Sequence, residues 1–96
     1  MADQLGGGFL RLEDLMALTD KQVQLVLRDI DQADAVVGML EMSRELRNRV
    51  LANMSERARG MIQEDWNAMK GPPDAGVALT ARTKILRVAN EVAAKP

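Results

Sequence analysis

The stretch SERARGMIQEDWNAMKGPP, from Ser55 to Pro73, reads as one complete helix with its own start and stop signals. Ser55 is an N-cap residue whose hydroxyl can accept a free backbone N–H, and Glu56 puts a carboxylate in the first turn, where the helix dipole favours it. Lys70 and Gly71 read as the close, a cation followed by a residue able to take the left-handed conformation, and Pro72-Pro73 bar continuation. At 100° per residue, Ala58, Met61, Ile62, Trp66 and Met69 share one sector, the expected buried face. Arg57 and Glu64 are seven residues apart, so they lie within about 20° of each other and point away from it. Asp65 falls near the middle of the apolar sector. It reads either as a rim carboxylate reaching a neighbouring Arg or a cap, or as a partly buried carboxylate with a functional contact.

Working outward, the same helical spacing covers the rest of the chain. Leu12, Leu15, Met16 and Leu18 predict a short first helix, and Thr19 with Gln22 has the capping-box spacing for the next. The second helix should bury Val23, Val26, Leu27 and Ile30. A third begins at Asp31 and Asp34 and should turn Ala33, Val36, Val37 and Leu40 inward. Ser43 predicts the N-cap of a fourth, with Leu46, Val50, Leu51 and Met54 in the core and a Glu45–Arg49 pair at i, i+4 spacing. The last runs from about Ala75 to Ala94 and presents Ala78, Ala81, Ile85, Val88 and Val92 along one seam, widened by Leu86 and Ala89. No strand pattern competes. Helices this short must draw their stability from mutual packing, so the expected fold is all-α: a compact bundle or superhelical stack of about six short helices. Residues 1–9, with three consecutive glycines, read as a flexible lead-in, and 10–94 as a single domain.

Composition narrows the function classes. Phe9 and Trp66 are the only aromatics among 96 residues, so aliphatic side chains and Met must fill the interior. The chain has no Cys and no His, which excludes disulfides, thiolate or imidazole metal sites and Ser-His triads. No loop carries the spacing of an EF-hand. No apolar run is long enough to cross a bilayer and the N-terminus is not a secretory signal, so a cytoplasmic protein without membrane insertion is expected. The net charge is −1 but unevenly placed: residues 1–42 hold three basic and eight acidic side chains, and residues 43–59 hold five Arg against two Glu. Opposed charged faces suit docking to other proteins, whereas one Arg-bearing stretch is thin support for nucleic acid.

Other patterns have bland readings that outweigh the sharp ones. Met54, Met61 and Met69 read as core filling rather than a binding groove. Arg44, Arg47 and Arg49 read as a solvated helix face. Glu64 and Asp65 diverge by about 100° on a helix and cannot act as a carboxylate dyad. Gly38 and Gly60 inside helices each cost roughly 1 kcal/mol relative to Ala, and close helix approach is the expected reason. No activated nucleophile or positioned acid–base pair can be assembled, so neither catalysis, a cofactor nor a small-molecule substrate is expected.

Three blocks, Gln24 to Asp31, Leu46-Arg47 with Asn53 to Ala58, and Gly71-Pro72, stand in the order and near the distances of a known family. In them the chain resembles the C-terminal domain of the bacterial flagellar motor switch protein FliG. The similarity runs from about Glu13-Asp14-Leu15 through Lys84-Ile85 to Val92. The resemblance implies an armadillo-like stack of six or so helices in a rotor protein that works without catalysis. It implies a charged ridge facing the cytoplasmic loop of the stator protein MotA, carried here by Arg57, Glu64 and Asp65. It also implies other switch and rotor proteins as partners, and a cytoplasmic position against the inner face of the cell membrane at the flagellar basal body. Two departures weaken the basic part of the pattern: Leu40 stands where the family usually has a basic residue, and Pro73 and Asp74 stand where another usually follows Gly-Pro. The alternative is a stand-alone FliG-like helical adaptor that binds another protein without stator contact.

Overall fold

In the computed structural model, which describes residues 8–95, a 3₁₀ helix over Leu12–Ala17 leads into five α-helices. These are α1 (Asp20–Asp29), α2 (Gln32–Leu40), α3 (Arg44–Ala52), α4 (Glu56–Ala68) and α5 (Ala75–Ala94). Among the described residues there is no strand. The expected lead-in falls mostly outside the described residues. Its last residue, Phe9, exchanges two hydrogen bonds with the Asn90 side chain: the Phe9 amide donates to Oδ1 at 2.9 Å and Nδ2 donates to the Phe9 carbonyl at 3.1 Å.

Side-chain caps explain where α1, α3 and α4 start. Thr19 Oγ1 accepts from the Gln22 amide at 3.2 Å while Gln22 Oε1 accepts from the Thr19 amide at 2.9 Å, a reciprocal capping box. Ser43 Oγ accepts from the Leu46 amide, and Ser55 Oγ from the Ala58 amide, both at 3.1 Å. Each bond satisfies a donor that the helix itself leaves free.

The longest helix, α5, forms the spine, with α1, α2 and the 3₁₀ helix packed along it. Its Ala78, Ala81, Ile85, Val88 and Val92 are all buried, as the seam predicts, and of the two residues expected to widen it Ala89 is buried and Leu86 half-buried. Met39, Leu46, Ile62 and Ile85 are the largest fully buried side chains, each contributing roughly 1.5–3 kcal/mol through lost contact with water. No polar or charged side chain is buried among the described residues.

Several expectations are corrected. Leu12, Leu15 and Leu18 are buried but Met16 is 43% exposed. A 3₁₀ helix has three residues per turn, so the three leucines stack on one side and Met16 is carried round to solvent. On α2 the buried positions are Ala35, Val36, Gly38 and Met39. Ala33 is exposed, and Val37 and Leu40 are only half-buried. Every residue from Ala35 to Leu40 is apolar or glycine, so periodicity could not single out a face. A Cβ at Gly38 would collide with the Ile85 Cδ1 methyl, which confirms close approach of α2 to α5 there. Gly60 has nothing within 4 Å of where its Cβ would stand, so close packing is not its reason. Finally, α4 stops at Ala68 with Met69 in extended conformation (φ −71, ψ 137), before Lys70. Gly71 adopts no positive φ, because extended backbone leading into Pro72 ends the helix without a left-handed residue.

Candidate protein-docking ridge on α4

The helix α4 lies at the edge of the stack and packs on α2. Its inner face holds Ile62, 1% exposed, with Ala58, Trp66 and Met69 half-buried. Trp66 anchors it, since Nε1 donates to the Val36 carbonyl at 3.0 Å. The outer face carries Arg57 and Glu64, both exposed. Two turns of helix separate them by about 10 Å along the axis. Among the described residues neither enters an ion pair or side-chain hydrogen bond. Two opposite charges held on a rigid support, with no partner among the described residues, are available to an external one.

Asp65 differs from the other two. It is exposed rather than partly buried, and its Oδ2 accepts a 2.7 Å hydrogen bond from Gln32 Nε2, at the first residue of α2. It is thus the rim carboxylate of the first reading, held by an amide where an Arg was expected. Met61, expected in the core, is 40% exposed. On the wheel it lies about 40° from Arg57 on the side away from Glu64, and along the axis it falls between the two charges, so an apolar side chain flanks the ridge. The sequence pattern misplaced it because α4 buries only a narrow stripe against α2 and leaves the sector edge in water.

The arginines just before the ridge do internal work. Arg47 Nε donates to the Met39 carbonyl at 3.0 Å, Nη2 donates to that of Met42 at 3.3 Å, and the guanidinium lies 5.9 Å from the Trp66 ring centroid. Arg59 Nη1 donates to the carbonyls of Met54 at 3.1 Å and Leu51 at 3.4 Å. Arg49 donates to the carbonyls of Met16 and Leu18 and to Asp20. All three reach carbonyls at or just past a helix end, of which those of Met39 and Leu51 also accept from the Met42 and Met54 amides. The expected solvated face is therefore reduced to Arg44, and the expected Glu45–Arg49 pair is replaced by the Arg49–Asp20 contact. For Arg59 a local signal existed: it stands five residues past Met54, within reach of the end of the preceding helix. Arg49 reaches across 31 residues to Leu18, which no local pattern reveals.

Around the 3₁₀ helix three carboxyls are held below their ordinary range. Asp20 is lowered by hydrogen bonds from Asn53 first and Arg49 second. Glu13 is lowered by the Ser43 hydroxyl and then the Ser43 amide, and Asp14 by the amides of Arg11 and Leu10. Among the described residues no group of three or more His, Cys, Asp or Glu side chains could hold a metal ion. No helix there is long and apolar enough to cross a membrane.

Residues 1–95 match the family model of the FliG C-terminal domain. The chain belongs to the FliG C-terminal domain family. It is 31% identical over 88 residues to the flagellar motor switch protein FliG of Thermotoga maritima, covering 92% of this chain and 26% of that protein. Against FliG of Bradyrhizobium diazoefficiens it is 31% identical over 83 residues, 86% of this chain and 25% of the relative. Against FliG of Vibrio cholerae it is 29% identical over 93 residues, 97% of this chain and 26% of the relative. The chain thus spans about a quarter of the length of the FliG proteins it matches. The stack of short helices described above agrees with the all-α fold expected of a FliG C-terminal domain.

Proposed function

We propose that the chain acts as a non-enzymatic rotor component of the bacterial flagellar motor, receiving torque through the α4 ridge of Arg57, Glu64 and Asp65. The stator protein MotA, through its cytoplasmic loop, is the partner on this reading, with other switch proteins of the rotor alongside. The working position is the cytoplasmic side of the inner membrane at the flagellar basal body. Nucleic acid, cofactors and small-molecule substrates play no part.

The observation that carries the reading is the exposure of Arg57 and Glu64, opposite in sign, two turns apart and without partners among the described residues. Exposed ion pairs contribute roughly 0–1 kcal/mol each, so contacts made through them form and break quickly while the charge array steers approach. A motor needs contacts that let go. The roles within the ridge are unequal, because Asp65 is already engaged by Gln32.

The test is binding of the MotA loop to wild type and to the Arg57→Glu/Glu64→Arg double reversal. Loss of binding with unchanged helical circular dichroism supports the reading, and unchanged binding overturns it. The adaptor alternative rests on Leu40 and Asp74. Leu40 is half-buried at the end of α2, and Asp74 stands exposed at the N-cap position of α5 with no side-chain cap hydrogen bond, so neither place offers the cation that the family usually has there. Retention of another rotor protein, but not the loop, would favour it.

A further inference from the structure

We propose that the outer face of α4 also docks, antiparallel, on the same face of a second copy of this chain, about a two-fold axis passing between Gly60 and Met61. The pattern of the face is self-complementary. Arg57 and Glu64 lie at equal distances on either side of that midpoint, so the axis sets each Arg57 opposite the other copy's Glu64, and each Glu64 opposite its Arg57. The same operation brings Met61 against Met61 of the other copy on one side of the helix crossing, and Gly60 against Gly60 on the other. Met61 is a 40% exposed knob. Gly60 is a notch, exposed and with nothing within 4 Å of its absent side chain. The two flexible thioether side chains can pack on each other, and the bare Gly60 pair lets the backbones approach on the other side. Closed two-fold pairing of one surface patch with itself is also the commonest way for soluble chains to associate.

The remaining charges do not oppose it. Asp65 lies on one flank of the face, about 7 Å along the axis from the midpoint. The two copies of Asp65 then stand about 14 Å apart, beyond the ~8–10 Å over which exposed charges act at physiological salt. The contact is one helix face wide, well below the area of a permanent interface, so the dissociation constant is on the order of 0.1–1 mM. It uses the same Arg57 and Glu64 that the stator reading requires. A ridge paired with its copy is closed to any other partner, and each partner binding must first separate the pair.

The experiment is a concentration series of the 96-residue chain, from micromolar to millimolar, followed by sedimentation velocity and by backbone amide NMR. Concentration-dependent shifts confined to residues 57–64, lost at high salt, are expected. Arg57→Glu alone, or Glu64→Arg alone, places like charges opposite each other and should weaken association roughly tenfold. Mixing the two single variants should restore it, because every facing pair is again opposite in sign. The double reversal is self-complementary and should associate as wild type does. Gly60→Leu fills the notch and should weaken pairing without altering the charges.

The double reversal separates this inference from the functional one: it should lose the MotA loop yet keep pairing with itself. Loop binding by a chain that stays monomeric at millimolar concentration leaves the stator reading standing and overturns this one. So does association whose shifts map elsewhere, for instance around exposed Leu10 or Leu79, and so does a double reversal that fails to pair.

Discussion

The guanidinium of Arg49 bonds Asp20 at 3.1 Å, and in the same grip it holds the carbonyls of Met16 and Leu18. One side chain from α3 thereby closes the end of the 3₁₀ helix and the start of α1. Asn53 completes the junction: its Nδ2 donates to Asp20 Oδ1 at 3.2 Å and its Oδ1 accepts from Gln24 Nε2 at 3.0 Å. Two residues of the blocks quoted for the family, Gln24 and Asn53, are therefore parts of a joint rather than of a binding surface.

Removing that grip should be costly for its size. Arg49→Ala leaves the Leu18 and Met16 carbonyls without partners in a setting where Arg49 itself is only 24% exposed. The expected loss is about 1–3 kcal/mol, read as a lower urea midpoint. Arg49→Lys should recover only part of it, because an ammonium cannot reproduce the planar fork that serves several acceptors at once. An alanine variant as stable as wild type would show that the joint contributes nothing.

Acid should loosen the same region first. Glu13, Asp14 and Asp20 have folded-state pKa values lowered by hydrogen bonds from Ser43, Arg11 and Asn53 respectively. A lowered value means that the stabilisation is fully present above the ordinary carboxylate range, about pH 4. It is lost as pH falls through the lowered values, since the unfolded chain then binds more protons than the folded one. Amide exchange followed across that range should show the 3₁₀ helix losing protection before α5. Glu13→Gln should flatten part of the stability–pH slope. Uniform loss of protection along the chain would contradict this.

The parts of the fold legible in the sequence are those fixed by neighbours in the chain. The hydroxyls of Thr19, Ser43 and Ser55 cap where their spacing predicts, and α5 turns its Ala78–Val92 seam inward because small and branched residues alternate with polar ones there. The outward pointing of Arg57 and Glu64 was legible for the same reason. What stayed hidden depended on distant partners or on uninformative composition. The run from Ala35 to Leu40 is apolar on all sides, so only the approach of Ile85 to Gly38 selects its face. Arg47 and Arg49 look like surface charges until the carbonyls they reach are in place. Met61 was assigned inward because its angle sits at the edge of the apolar sector, and the width of the groove on α2 decides on which side of that edge it falls.

Two of the helical glycines, Gly38 and Gly60, should respond to alanine with opposite sign. At Gly60 an added methyl enters open space, so Gly60→Ala should stabilise by about 0.5–1 kcal/mol through helix propensity. At Gly38 the same gain is opposed by displacement of the Ile85 terminal methyl in a site only 1% exposed. Overpacking of a filled core typically costs about 1–3 kcal/mol, leaving a net loss of about 1 kcal/mol. Urea titrations at micromolar concentration measure both, and a stabilising Gly38→Ala would show that Ile85 turns aside freely.

Asp65 should separate from its neighbours on the ridge when stability and binding are measured side by side. Its Oδ2 is held at 2.7 Å by Gln32 at the start of α2, so the carboxylate links the ridge helix to the helix beneath it, near a terminus that favours negative charge. Asp65→Ala should therefore cost about 0.5–1.5 kcal/mol of stability while changing MotA-loop affinity by no more than about twofold, the low end of the range for an exposed charge, because Gln32 already engages its carboxylate. Glu64→Ala should show the reverse, with little change in the urea midpoint and a larger fall in loop affinity, since no bond to it from the described residues is lost. Gln32→Ala supplies the control, for it breaks the Asp65 link without touching any charge. If it mimics Asp65→Ala in stability, the linkage is mechanical. If Asp65→Ala instead abolishes loop binding while Gln32→Ala leaves stability untouched, Asp65 is a direct contact and the division of roles fails.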